Sequence, residues 1–188
     1  MTSSTKQRDP EDIRVRLSFD VDQITQSLVY EFYSITKKKP MRIKKYGRVA
    51  GSYNFVENDK LYIEIEAYNT TPKTPVRNLN LNCTFVFTGM PNSAGSDQAL
   101  SPFDKDIASF TFADGEWDNR GSLPIETDDG TAVHIRKLNF KPVTVKNGLW
   151  AVSGFLSASY KRGNNTATIS RVFSFDPETS AGDGGPGN

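Results

Sequence analysis

Ile13-Arg14-Val15-Arg16-Leu17-Ser18-Phe19-Asp20-Val21 is the stretch that decides the fold class. Its odd positions are apolar and its even positions are charged or carry a hydroxyl. Successive side chains of a β-strand point to opposite faces, so this run is a strand with one face on a core and one in water. The same period of two returns at Leu61, Ile63, Ile65 and Ala67, set against Tyr62, Glu64, Glu66 and Tyr68. It returns again at Leu79, Leu81, Cys83, Phe85 and Phe87, set against Asn80, Asn82, Thr84 and Val86. Further strands are predicted at 48–56, 107–113, 132–140, 149–160 and 166–175. Short amphipathic strands punctuated by Gly, Pro, Asn and Asp predict an all-β, mainly antiparallel β-sandwich, jelly-roll or immunoglobulin-like. A barrel is the competing closure.

Glu57-Asn58-Asp59-Lys60 and Lys161-Arg162-Gly163-Asn164-Asn165 each join two alternating runs, and both read as hairpin turns. One segment departs from period two. Ile24, Leu28, Phe32 and Ile35 fall at helical spacing behind Asp22, a residue type that caps helices. At most one short helix is therefore expected, near residues 23–35, although Val29-Tyr30-Glu31-Phe32-Tyr33-Ser34-Ile35 also suits a strand. A chain of 188 residues supports one well-cored domain, expected over 12–178. Residues 1–11 read as a disordered lead and 179–188 as a flexible, glycine-rich tail.

Composition narrows the function classes. Twenty-three basic and 22 acidic residues leave a net charge of +1, so no global attraction to nucleic acid or anionic lipid is expected. A single cysteine, Cys83, rules out an intrachain disulfide and fits a reducing compartment. The polar opening residues hold no apolar signal core, and no run of roughly 18 apolar residues could span a bilayer. A cytoplasmic protein without a membrane span is expected.

Catalytic chemistry finds little to work with. The one histidine, His134, stands between Val133 and Ile135 in a predicted strand, and Cys83 alternates with core residues. No nucleophile elbow, phosphate loop, dinucleotide fingerprint or zinc-protease motif occurs, so the chain does not read as an enzyme. Oxygen donors on tight turns suit calcium. Asp114, Glu116, Asp118, Asp128 and Asp129 are therefore the candidate calcium ligands, on a stretch turned by Gly115, Gly121 and Gly130. Their spacing is not that of an EF-hand, and a solvated acidic loop accounts for them equally. Trp117 lies among them as the candidate sugar-stacking residue, and no other cofactor is expected. Lys37, Lys38, Lys39, Arg42, Lys44 and Lys45 form a basic run that could hold an anion. The same charges, with Pro40 among them, also guard an exposed strand edge.

Three pieces resemble the bacterial inclusion-body proteins, the AidA/PixA-like family. They are the opening strand from Ile13 through Asp22 to Ile24, the segment Gly51–Ile63 with its Asn54-Phe55 pair and Asp59, and the closing hairpin from Trp150 to Phe175-Asp176-Pro177. Phe175 stands where the family has tryptophan, Glu64 where a basic or aromatic residue is usual, and the middle loop is longer and more acidic. The resemblance implies a cytoplasmic bacterial protein that accumulates in dense bodies, self-associates, and in some members recognises glycans. It carries over no catalytic residue.

A non-catalytic, self-associating β-sandwich is the leading expectation, with a homo-oligomer as its form. A calcium-dependent, lectin-like carbohydrate binder and a virion or phage structural protein are the alternatives. A calcium site in the acidic loop predicts a melting temperature several degrees higher in millimolar calcium, because a ligand that binds only the folded state stabilises it. A calorimetric melt with and without the ion reads this directly.

Overall fold

Ile13, Val15, Leu17 and Phe19 go inward as their alternation requires, none more than 2% exposed. The computed structural model describes residues 8–41, 52–71, 73–89, 99–104, 109–118, 124–128 and 130–175. The strands are β1 (Asp12–Asp20), β2 (Val29–Ser34), β3 (Lys39–Pro40), β4 (Ser52–Phe55), β5 (Lys60–Asn69) and β6 (Val76–Gly89). They continue with β7 (Ser109–Phe112), β8 (Ile125–Glu126), β9 (Ala132–Lys137), β10 (Gly148–Arg162) and β11 (Ile169–Phe175). A single 3-10 turn at Asp114–Glu116 is the one helical element among the described residues. No described helix is long and apolar enough to cross a membrane.

Two sheets enclose the core, which makes the chain an all-β sandwich. The six-stranded sheet runs β3-β2-β1-β5-β9-β8, and the five-stranded sheet runs β11-β10-β6-β7, with β4 also on β10. β10 organises the second sheet. One of its edges carries β6; the other carries β4 over 148–151 and β11 over 154–160. Between the sheets the aromatic rings interlock, with Phe19 on Phe173 at 4.5 Å and Phe103 edge-on to Phe110 at 4.9 Å. Such aromatic pairs add to the burial energy of their area.

Backbone hydrogen bonds also tie the sheets together at their margins. On one side Leu28 N–H donates to Ser174 O (2.9 Å) and Ser174 N–H to Gln26 O (2.8 Å). On the other, Asp118 N–H donates to Lys137 O (2.7 Å) and Asn139 N–H to Glu116 O (2.9 Å). The architecture remains a sandwich, but its edges are partly sewn.

Three sequence expectations are corrected here. Residues 23–35 form no helix: Val29–Ser34 is strand β2, antiparallel to β1 from Ile13↔Ser34 to Ser18↔Val29. The helical stripe had no surface to cover, since Ile24 is 95% exposed while Phe32 and Ser34 are buried by strand alternation. Residues 57–60 are not a hairpin turn, because β4 and β5 belong to different sheets. The chain crosses the sandwich there, and β5 comes to lie parallel to β1 from Asp12↔Lys60 to Asp20↔Tyr68. Finally, residues 8–11 are not part of a loose lead, since Glu11 is buried and Arg8 is hydrogen-bonded to Asp59. The second expected hairpin does form, joining β10 and β11 with Gly163 at φ 53°.

Gly154 shows how closely β10 packs. A Cβ at this position would lie 2.4 Å from the Thr84 carbonyl oxygen and 2.7 Å from the Phe175 ring. Gly154→Ala is expected to destabilise the fold by about 2–3 kcal/mol, in the range of other overpacked cores. A urea midpoint that did not move would show that both the Thr84 backbone and the Phe175 ring can yield.

Candidate functional site

The residues singled out for catalysis are in the core. His134 faces inward from β9 opposite Ala67 and is 7% exposed. Burial, and secondly the Arg136 charge, push its imidazole pKa below the ordinary value, so it is neutral at pH 7. Cys83 has no solvent exposure, and burial pushes its thiol pKa far up, leaving no thiolate to act as a nucleophile.

The acidic stretch divides into two places. Asp114 and Glu116 form the 3-10 turn after β7, and both use carboxylate oxygens on backbone. Asp114 Oδ1 accepts Leu81 N–H at 3.0 Å, and Glu116 Oε2 accepts Ala113 N–H at 2.8 Å. Asp128 lies in a separate turn between β8 and β9, closed by Thr127 N–H to Thr131 O at 2.9 Å. Asp118 follows the 3-10 turn and reaches β9 through its own N–H to Lys137 O. Among the described residues no three His, Cys, Asp or Glu gather to hold a metal. Asp129 lies outside the described residues. Trp117 is 1% exposed, its indole N–H donating to Phe112 O at 3.3 Å. No face of that ring is open to a sugar, so the stacking role expected of it does not fit its position.

One residue of the basic run, Lys37, belongs to an ionic cluster built on two buried carboxylates. Lys37 and Lys38 sit in the turn after β2, and Lys39 opens β3. Arg42, Lys44 and Lys45 lie outside the described residues. The Lys37 ammonium reaches Glu11 Oε1 at 2.5 Å, and Ser34 Oγ donates to the other oxygen of the same carboxylate. Beside it, Asp59, with no solvent exposure, accepts Glu11 N–H at 2.9 Å and Val56 N–H at 2.8 Å. Both of its oxygens also receive the Arg8 guanidinium, at 2.7 and 2.5 Å. Sequence reasoning missed this cluster, because Arg8 and Glu11 precede the first clear strand and Asp59 looks like an ordinary turn residue.

The two outer faces of the sandwich differ in chemistry. The six-stranded sheet's face is laced with charge: Arg14 to Glu31 at 3.4 Å, Arg16 to Glu66 at 3.0 Å and Lys137 to Glu64 at 3.6 Å. A groove of about 700 Å3 crosses it, lined among others by Arg16, Tyr30, Glu66 and Tyr68. A cleft of about 530 Å3 lies beside β7, lined by Phe103, Phe110, Phe140 and Val143 together with Asp104, Glu116 and Lys141.

Among the described residues, the outer face of the five-stranded sheet has no ionisable side chain across its middle. Outward from β6 stand Asn80, Asn82, Thr84, Val86 and Thr88; paired with them in order on β10 are Ser159, Ser157, Phe155, Ser153 and Ala151. β11 adds Ser170, Val172 and Ser174, and β7 adds Ser109 and Thr111. Phe155 and Val172 are each 55% exposed on this face. The signal was present in the sequence, in the contrast between the wet positions of β1, which include Arg14 and Arg16, and those of β6 from Asn80 to Thr88, which are amide and hydroxyl except for Val86.

No protein-family model, curated protein or solved structure matches this chain.

The ionic cluster makes stability depend on acid. Burial alone would raise the Glu11 pKa, but hydrogen bonds from Lys37 and Ser34, with the Lys37 and Arg8 charges, hold it below its ordinary 4.5. A carboxylate whose pKa is lowered by folding stabilises the fold above its unfolded pKa, and that contribution is lost as pH falls through the folded value. The melting temperature is expected to fall below about pH 4.5, and Glu11→Gln to flatten that fall. Asp59→Ala is expected to cost about 3–5 kcal/mol, because it strands the buried Glu11 and Val56 N–H groups and removes the carboxylate that pairs with Arg8. Denaturant titration of the two variants across pH measures both effects.

Proposed function

We propose that the protein is a non-catalytic, self-associating β-sandwich, an assembly protein rather than an enzyme. The observation that carries this is the uncharged outer face of the five-stranded sheet, with Phe155 and Val172 standing out from it. Water-facing sheets keep charge on their outer positions, as the other face of this sandwich does. Protein interfaces lose charge at their centre and gain aromatic residues there. A net charge of +1 leaves little overall repulsion to oppose contact between copies. The resemblance to bacterial inclusion-body proteins points in the same direction.

Contact through an uncharged face has a salt signature. Exposed ion pairs are screened as ionic strength rises, whereas burial of apolar and hydroxyl surface is not. Light scattering at micromolar concentration is expected to show a dimer or larger species that persists from low to near-molar sodium chloride. A strictly monomeric particle would refute self-association. An oligomer that dissolved in salt would move the contact to the charged face.

A further inference from the structure

We infer that the occupant of the five-stranded sheet's outer face is the same face of a second copy, turned so that the strands of the two copies run antiparallel. This inference rests on the self-association proposed above and names its partner and its geometry.

Charge selects the occupant. A two-fold contact sets a surface against itself, so any strongly charged patch at its centre meets its own sign. The middle of this face has nothing to repel, and its hydroxyl and amide groups each both donate and accept hydrogen bonds. It is therefore complementary to itself without a partner of opposite charge. The six-stranded sheet's face carries Arg14, Arg16, Glu31, Glu64 and Glu66, charges that a contact there would have to strip of water.

The apolar side chains form a single patch. Phe155 lies opposite Thr84 on β6 and Ser174 on β11. Val86 and Val172 are its diagonal neighbours on those strands, within reach of a phenyl ring. Phe155 is thus near the middle of the face, where an aromatic anchor contributes most to binding. β6 and β10 from Asn80 to Thr88, with the shorter β11 and β7 on either side and strands about 4.8 Å apart, give a flat area of about 450 Å2. This is smaller than the roughly 800 Å2 per partner of a standard interface and suits a small, micromolar contact.

Charge at the rim sets the orientation. Arg77 and Lys161 stand opposite each other at one end of the face, just past the last uncharged row. Two-fold axes lying in the plane of contact have two simple settings. An axis along the strands would bring the basic ends of both copies together. An axis across the strands sends them to opposite ends, each over the Thr88–Ala151 end of its partner, and stacks the strands antiparallel within the ~30° twist usual for packed sheets.

The test uses the full chain. Phe155→Asp and Val172→Asp each place a charge at an exposed position of the patch, so the melting temperature should hold while self-association weakens by roughly tenfold or more. For orientation, Thr84→Cys and Lys161→Cys are treated separately with a short bismaleimide, the buried Cys83 being shielded from it. Across-strand symmetry keeps the two Thr84 sites together and the two Lys161 sites about 40 Å apart, so only Thr84→Cys should cross-link efficiently. If the wild-type protein is monomeric, the self-association and this inference fall together. If it associates and both aspartate variants associate equally well, self-association stands and this face is wrong. Efficient cross-linking of Lys161→Cys would overturn the antiparallel arrangement.

Discussion

The Asp59 carboxylate stands where the chain passes from β4 in one sheet to β5 in the other, and it accepts the polar groups that the crossing would strand. It takes the Val56 N–H of the crossing itself, the Glu11 N–H at the foot of β1, and the Arg8 guanidinium. Lys60 N–H then donates to Glu11 O at 3.1 Å, and Thr144 N–H donates to Asp59 O at 3.0 Å. These bonds hold the starts of β1 and β5 side by side, which is why the two strands run parallel in a sandwich otherwise paired antiparallel. Buried ion pairs add little net stability compared with apolar packing, but a buried charge left unpaired is costly. Asp59 therefore acts chiefly by excluding other arrangements of this end of the sandwich.

The same economy explains the charges around it. Glu11, next to Asp59 in space, would keep only the Arg8 guanidinium at 3.8 Å without Lys37 and Ser34. Lys37 comes from the turn after β2, so the cluster joins the chain before β1, the turn after β2 and the crossing before β5. Lys37, which belongs in one dimension to a basic run, is in the fold the counter-charge of a buried glutamate.

Closure of the sandwich leaves two outer faces of different chemistry. Both margins are partly tied by backbone bonds, through 26–28 and Ser174 on one side and 116–118 and 137–139 on the other. Bonded margins offer less to strand-by-strand addition. The broad faces are then the surfaces left for contact. The charged face satisfies itself within the chain, as Tyr68 OH does in donating to Glu66 at 2.7 Å. The hydroxyl-rich face, with Phe155 at its middle, has no such internal pairing of charge to keep it in water.

What the sequence determined by itself was the class and the inner faces: an all-β sandwich whose strands β1, β5 and β6 bury the residues their alternation assigns. Period two is a local property of an extended chain, so it can be read without knowing any partner strand. The β10–β11 hairpin was legible for the same reason, since both strands and the turn between them are contiguous. The parallel partnership of β1 and β5 was not, because it depends on which sheet β4 joins, and β4 pairs with residues more than ninety positions away. Nor was β2, where helical spacing and strand alternation competed and only the free edge of β1 decided between them. Residues such as Arg8, Asp59 and Trp117 showed their type in the sequence but not their place. Burial and hydrogen-bond partners are set by distant segments brought together, and in this protein that assembly alone turned a turn aspartate into the clasp of the fold.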